Sequence, residues 1–163
     1  MTAMDQFLSD LLGSTHVPPA TIAGRLLGAA MLGAVIGIER EWRARPAGLR
    51  THILTSLAAA VFTILTVEIT MGSLTTGENA QADPVRIIEA VTAGVAFLAA
   101  GAIIQGRGRV QGLTTGAGMW LAGAIGVAAG LGQWLVGVMA TLIGLIVIVV
   151  LGKLENHDRP SGE

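Results

Sequence analysis

The side chains able to do chemistry in this sequence gather in two polar stretches. The first runs from Glu39 to His52 and contains Arg45-Pro46-Ala47-Gly48-Leu49-Arg50-Thr51-His52. A carboxylate and an imidazole brought together there could relay a proton or make a weak metal contact. One Glu and one His are too few ligands to define a metal centre. The charges favour an ion-pair network of Glu39 with Arg40, Arg43 or Arg50, and no metal is assigned. The second stretch is acidic and holds Glu68, Glu78 and Asp83. Hard cations want carboxylate oxygens, but an acidic loop needs only water to explain it. In Asp83-Pro84-x-Arg86, the Asp suits a helix N-cap and the Pro the first helical position. Arg86 can then fold back toward Asp83. Gly106 to Gly112 mimics a phosphate loop but lacks the strand that such a loop follows. Thr114, Thr115 and Ser56 have no triad partners nearby in sequence. No catalytic residue, no enzyme activity and no cofactor are expected.

The elements that must position these groups are apolar. The chain is 52% hydrophobic and 13% charged, with a net charge of -1, mean hydropathy of +0.69 and no cysteine. A helix of about 20 residues crosses a bilayer. The pattern predicts five such helices: Thr21 to Ile38, Thr51 to Thr70, Val85 to Ile104, and two within Leu113 to Leu154 that part near Gly130-Leu131-Gly132-Gln133. The expected class is therefore an all-α membrane protein. Residues 1–20 form a polar or interfacial segment without the basic start of a signal peptide. Residues 21–154 form the membrane domain, and residues 155–163 a disordered tail. Arg40, Arg43, Arg45, Arg50, Arg107, Arg109, Lys153 and Arg159 would all face one side, leaving only Arg25 and Arg86 on the other. Positive-inside bias then places the N-terminus outside and the C-terminus in the cytoplasm. The basic loops would meet anionic lipid headgroups. They lack interleaved aromatics beyond Trp42, so nucleic-acid binding is unsupported and no nucleic-acid partner is expected. Trp42 and Trp134 read as interfacial anchors.

A shift of 64 residues, Gly37 to Gly101, aligns Gly37, Arg43, Arg45, Gly48, Leu49 and Thr51 with Gly101, Arg107, Arg109, Gly112, Leu113 and Thr115. The first two helices and the next two are thus candidate parallel repeats, with the fifth added. In each copy Gly permits the bend and Thr caps or back-bonds in the first turn. The same shift sets Arg25 over Glu89. Ionisable groups in a span are costly unless paired or hydrated, so an Arg25–Glu89 pair, facing one another or a shared cavity, is expected. The alternative is that each snorkels outward separately. Gly24/Gly28, Gly33/Gly37 and Gly126/Gly130 are small-x3-small pairs. They suit close packing within the chain, or a homodimer.

The blocks Gly37 to Arg43, Pro46 to His52, Asp83 to Ile104 and Gly112-Leu113-Thr114-Thr115 resemble, in combination, the MgtC/SapB family of bacterial inner-membrane proteins. The resemblance covers about Gly28 to Leu151. It implies about five transmembrane helices. It implies signature residues at Gly37, Glu39, Arg40, Pro46, Gly48, Arg50, Thr51, His52, Asp83, Arg86, Gly94, Gly101, Gly112, Thr114 and Thr115. It also implies a regulatory role in magnesium limitation or acid stress, and in pathogens in virulence. That role would run through other membrane proteins such as the ATP synthase or magnesium-transport ATPases. The alternative is an ion transporter or channel for Mg2+ or another cation. Two departures stand out. Ala96 and Ala99 replace family glycines, and the chain is expected to lack the soluble C-terminal domain that many members carry.

Overall fold

The computed structural model describes residues 4, 15–76, 84–106 and 109–157. Five helices run through them: α1 Pro19–Trp42, α2 Leu49–Thr76, α3 Pro84–Ala102, α4 Leu113–Leu131 and α5 Trp134–His157. All five are long and apolar enough to cross a membrane. Two short strands, β1 Ile104–Gly106 and β2 Arg109–Gln111, pair antiparallel between α3 and α4. That ladder is absent from the sequence expectation, because three-residue strands leave no periodic signal.

Helix boundaries follow local chemistry. Pro18 is the N-cap of α1 and Pro19 its first residue, where a missing N–H costs nothing. The helix runs to Trp42, four residues past the predicted end, so Glu39 and Arg40 are helical. It ends in a Schellman motif. Arg45 N–H donates to Arg40 O at 3.1 Å and Ala44 N–H to Glu41 O at 3.0 Å. Ala44 adopts the left-handed φ of 50° that this turn needs. The end of α4 is built the same way, with Gly132 at φ 76° and Gln133 N–H donating to Ala128 O at 2.8 Å. The Gly130–Gln133 turn stands where the glycines predict it. Helix α5 continues three residues beyond Leu154, into the predicted tail. Residues 158–163 and, of the expected N-terminal segment, residues 1–3 and 5–14 lie outside the described residues.

Helix α4 is the centre of the bundle. Its apolar window is 67% buried, against 11% for α3. The seams around it are drawn by small residues. A methyl at Gly126 would strike Ser56 O and lie 2.8 Å from Ala59 Cβ. One at Gly130 would lie 2.8 Å from Ala60 O and from Thr63 Cβ. On the α1–α2 seam, a methyl at Gly33 would lie 2.8 Å from His52 O and one at Gly37 2.8 Å from Leu49 Cα. Ser56 Oγ crosses that seam to donate to Ala29 O at 2.8 Å. Such backbone contact replaces the hydrophobic drive that lipid removes. Gly28 receives the Trp134 ring, so Trp134 packs on α1 as well as facing outward. Gly28 and the pairs Gly33/Gly37 and Gly126/Gly130 are therefore filled by this chain's own helices, while Gly24, Gly94 and Gly101 have open space.

The starts of α2 at Leu49 and α4 at Leu113 stand 64 residues apart, as the repeat requires. The glycines in the two copies do different work. Gly37 is buried against Leu49, whereas Gly101 meets nothing within 4 Å. Gly112 is left-handed at φ 89°.

Candidate functional site

The polar stretch Glu39 to His52 folds into one junction where the end of α1 meets the start of α2. Helix α1 buries Glu39 and Arg40 on its last turns. Arg40 Nε donates to Glu39 Oε2 at 2.6 Å, and Arg43 Nε stands 2.5 Å from Glu39 Oε1. The Arg43 contact is ionic and poorly aligned, since Oε1 has no hydrogen-bond partner. One carboxylate thus serves two guanidiniums, with Arg40's side chain only 4% exposed. The expected ion-pair network is present with Arg40 and Arg43. Arg50 is exposed and stays out of it.

Glu41, which the sequence reading left without a role, is the cap of α2. Its Oε2 accepts Leu49 N–H at 2.9 Å, satisfying an orphan donor of the first turn. A methyl on Gly48 would collide with that same oxygen. The signal was in the sequence: Gly48 immediately precedes the helix and an acid stands seven residues before it. Thr51 is half-buried within the helix and does not occupy the N-cap position. At α4 the N-cap is Gly112, with no side-chain cap bond. Thr115 is buried and Thr114 exposed.

His52 is 0% exposed. Its Nδ1 stands 2.9 Å from Gly48 O, which can only accept, so Nδ1 carries the hydrogen. Nε2 is buried without a partner. The alternative Glu39–His52 pairing is not made. Pro46 is exposed. Among the described residues no group of three His, Cys, Asp or Glu could hold a metal.

The other end carries the remaining candidates. The expected Arg25–Glu89 pair is not formed. Arg25 Nη1 donates to Gly130 O at 2.9 Å, while Glu89 is exposed on α3. The reason is placement: α1 borders α2, α4 and α5 rather than α3, and the α4 C-terminus offers unpaired carbonyls and a negative dipole end. Arg25→Met should therefore cost about 1 kcal/mol, and Glu89→Gln should stay within about 0.5 kcal/mol of wild type. Unfolding titrations in detergent check this, and reversing both charges should give no rescue over Arg25→Glu alone. Glu68 is not free for a cation, because it accepts His16 N–H and Val17 N–H, each at 2.7 Å. Asp83 and Glu78 lie outside the described residues, and Arg86 is exposed. Ala99, one of the departures from the family pattern, sits opposite Gly116, where a methyl would come 3.4 Å from its Cβ.

Five helices of this length and apolarity, packed glycine to backbone, define a multi-pass helical membrane protein. The chain belongs to the MgtC family, which matches residues 26–157. It is 42% identical over 126 residues to protein MgtC of Salmonella typhimurium strain LT2, covering 77% of this chain and 50% of that protein. It is 36% identical over 137 residues to protein MgtC of Brucella abortus, covering 84% and 54%. An uncharacterized protein of Haemophilus influenzae is 36% identical over 128 residues, covering 78% and 54%. The chain thus spans about half the length of these curated relatives. No solved structure matches.

Proposed function

We propose that this protein is a regulator in the bacterial inner membrane, acting in adaptation to low magnesium or acid stress by binding other membrane proteins. The family resemblance makes membrane ATPases and the ATP synthase the partners to test, and virulence in an intracellular pathogen the setting. The observation that carries this reading is the closed interior. Helix α2 meets α1 at Gly33 and Gly37 and α4 at Gly126 and Gly130, glycine to backbone, with Ile36, Ser56, Thr63 and Ile125 at most 1% exposed. Such a seam offers no hydrated path. By contrast, α3 keeps an open outer side at Gly94 and Gly101, which a partner helix can approach closely. The basic α1–α2 turn faces the cytoplasm in this reading, with the N-terminus outside.

The test is a pair of measurements on purified protein. In liposomes of anionic lipid the wild type should pass no Mg2+ above empty vesicles. From membranes it should co-purify with a membrane ATPase, and Gly94→Leu should lose that partner while keeping the monomer's stability. Mg2+ flux that dies with Glu89→Gln or Asp83→Asn would replace this reading with transport.

A further inference from the structure

His52 is the one fully buried ionisable side chain of the described residues outside the Glu39 ion-pair network, and the junction is shaped around it. Glycines wall it on two sides. Methyls at Gly33, Gly37 and Gly118 would lie 2.8 Å from its carbonyl oxygen, 3.1 Å from its Cβ and 3.2 Å from its Nε2. Two helices thus stay clear of side chains where the imidazole sits, yet its Nε2 lone pair has no partner. A buried polar atom left unpaired is costly and calls for an explanation.

We propose that His52 Nε2 is an internal proton-binding site, and that filling it opens the α1–α2–α4 junction. A proton on Nε2 creates a second N–H donor and a positive charge on a fully buried ring. Nothing around it can compensate. From α1 come Arg40, already positive, and Glu39, whose two oxygens are engaged by Arg40 and Arg43. From α2 come the hydroxyls of Thr55 and of Ser56, which is spent on Ala29 O, and Arg50, which is exposed. From α4 come Thr115 and the bare Gly118. Helix α3 carries only Arg86 and Glu89 as ionisable residues, both in its first turns. An imidazolium needs water or an acceptor. The glycine walls give way only if α2 parts from α1 and α4 at this end. The closed junction excludes the cation and the open one solvates it, so the same free energy that resists protonation drives opening once a proton binds. The sign follows: the open form binds more protons, so closure holds above histidine's ordinary value of about 6.5 and is lost as pH falls below it.

The absence of cysteine allows a clean test on the full chain in lipid nanodiscs. Spin labels at Leu54→Cys on α2 and Ala117→Cys on α4, both exposed in the closed form, report separation of the helices. Nitrogen NMR of the histidine rings reports the state of Nε2. At pH 8 His52 should hold its hydrogen on Nδ1 and the labels should show a single distance. Between pH 6.5 and 5 a longer distance should appear, with its ratio to the short one rising by up to about tenfold per pH unit, in step with protonation. His52→Gln should abolish the pH dependence. If that variant fails to fold, the wild type still decides. Protonation of His52 with fixed label distances, or widening with His52 still neutral, overturns the proposal. So does an equal pH response in a folded His52→Gln.

Discussion

Gly126→Ala is expected to lower the stability of the bundle by about 3 kcal/mol or more, at the top of the range for overpacking. The added methyl would enter the space of the Ser56 carbonyl oxygen and stand 2.8 Å from Ala59 Cβ. Neither neighbour can swing aside. One is helix backbone, and Ala59 is 2% exposed with no torsion to relieve the contact. The only escape is for α2 and α4 to separate. Separation also strains the bond from Ser56 Oγ to Ala29 O and so reaches α1. Gly94→Ala is the matched control. Nothing in the chain lies within 4 Å of its new methyl, and alanine in an exposed helix interior should gain about 0.5 to 1 kcal/mol. Equilibrium unfolding in mixed micelles, with helicity as the signal, should separate the two by several kcal/mol. Equal effects at the two positions would mean that the α2–α4 seam tolerates a wider spacing than its geometry allows.

That contrast shows what the sequence could and could not disclose. Apolar length alone marks five helices, because a bilayer imposes one length on every span. It also places the α4–α5 turn, where Gly132 supplies a positive φ. The ends are less legible. Helix α1 runs on to Trp42 because Glu39 and Arg40 pair with each other rather than with water, and charges in sequence look like a helix's end. Glycines at x3 spacing look alike on paper. In the fold Gly33, Gly37, Gly126 and Gly130 are seams, while Gly24 and Gly94 are open. Only the neighbouring helix decides which is which.

The candidate site divides along the same line. Glu39 with Arg43 is local, at the four-residue spacing that brings helical side chains together, and Arg40 is its neighbour in sequence. The partner of Arg25 is a backbone carbonyl 105 residues away, and a carbonyl carries no sequence signal. The repeat pointed instead to Glu89, whose helix does not border α1. Glu41 escaped notice because it acts across a turn on a backbone N–H. The isolation of His52 Nε2 depends on glycines from two other segments and can only be seen in three dimensions.

Glu39→Gln should cost about 3 to 5 kcal/mol, the range for removing one partner of a buried ion pair. The arginine left behind is the reason. Arg40 keeps its charge at any accessible pH, and its side chain is 4% exposed, so it can neither neutralise nor reach water without dragging the end of α1. Arg43, with a 25% exposed side chain, can turn outward and adds little. Removing the arginine as well should have the opposite effect. If an uncompensated charge is what destabilises Glu39→Gln, removing that charge should restore the fold. Glu39→Gln/Arg40→Met should recover to within about 1 kcal/mol of wild type, since an apolar side chain of similar length replaces a pair whose attraction barely offsets its desolvation. Denaturant titration of the two single variants and the double gives the coupling directly. A double no better than Glu39→Gln would mean that Glu39 stabilises the junction through something other than Arg40. A double that is stable and correctly inserted, yet fails to co-purify with a membrane ATPase that the wild type retains, would assign the charges a task beyond holding α1 to α2. The exposed Arg45 and Arg50, beside them on the same turn, would then be the next residues to substitute.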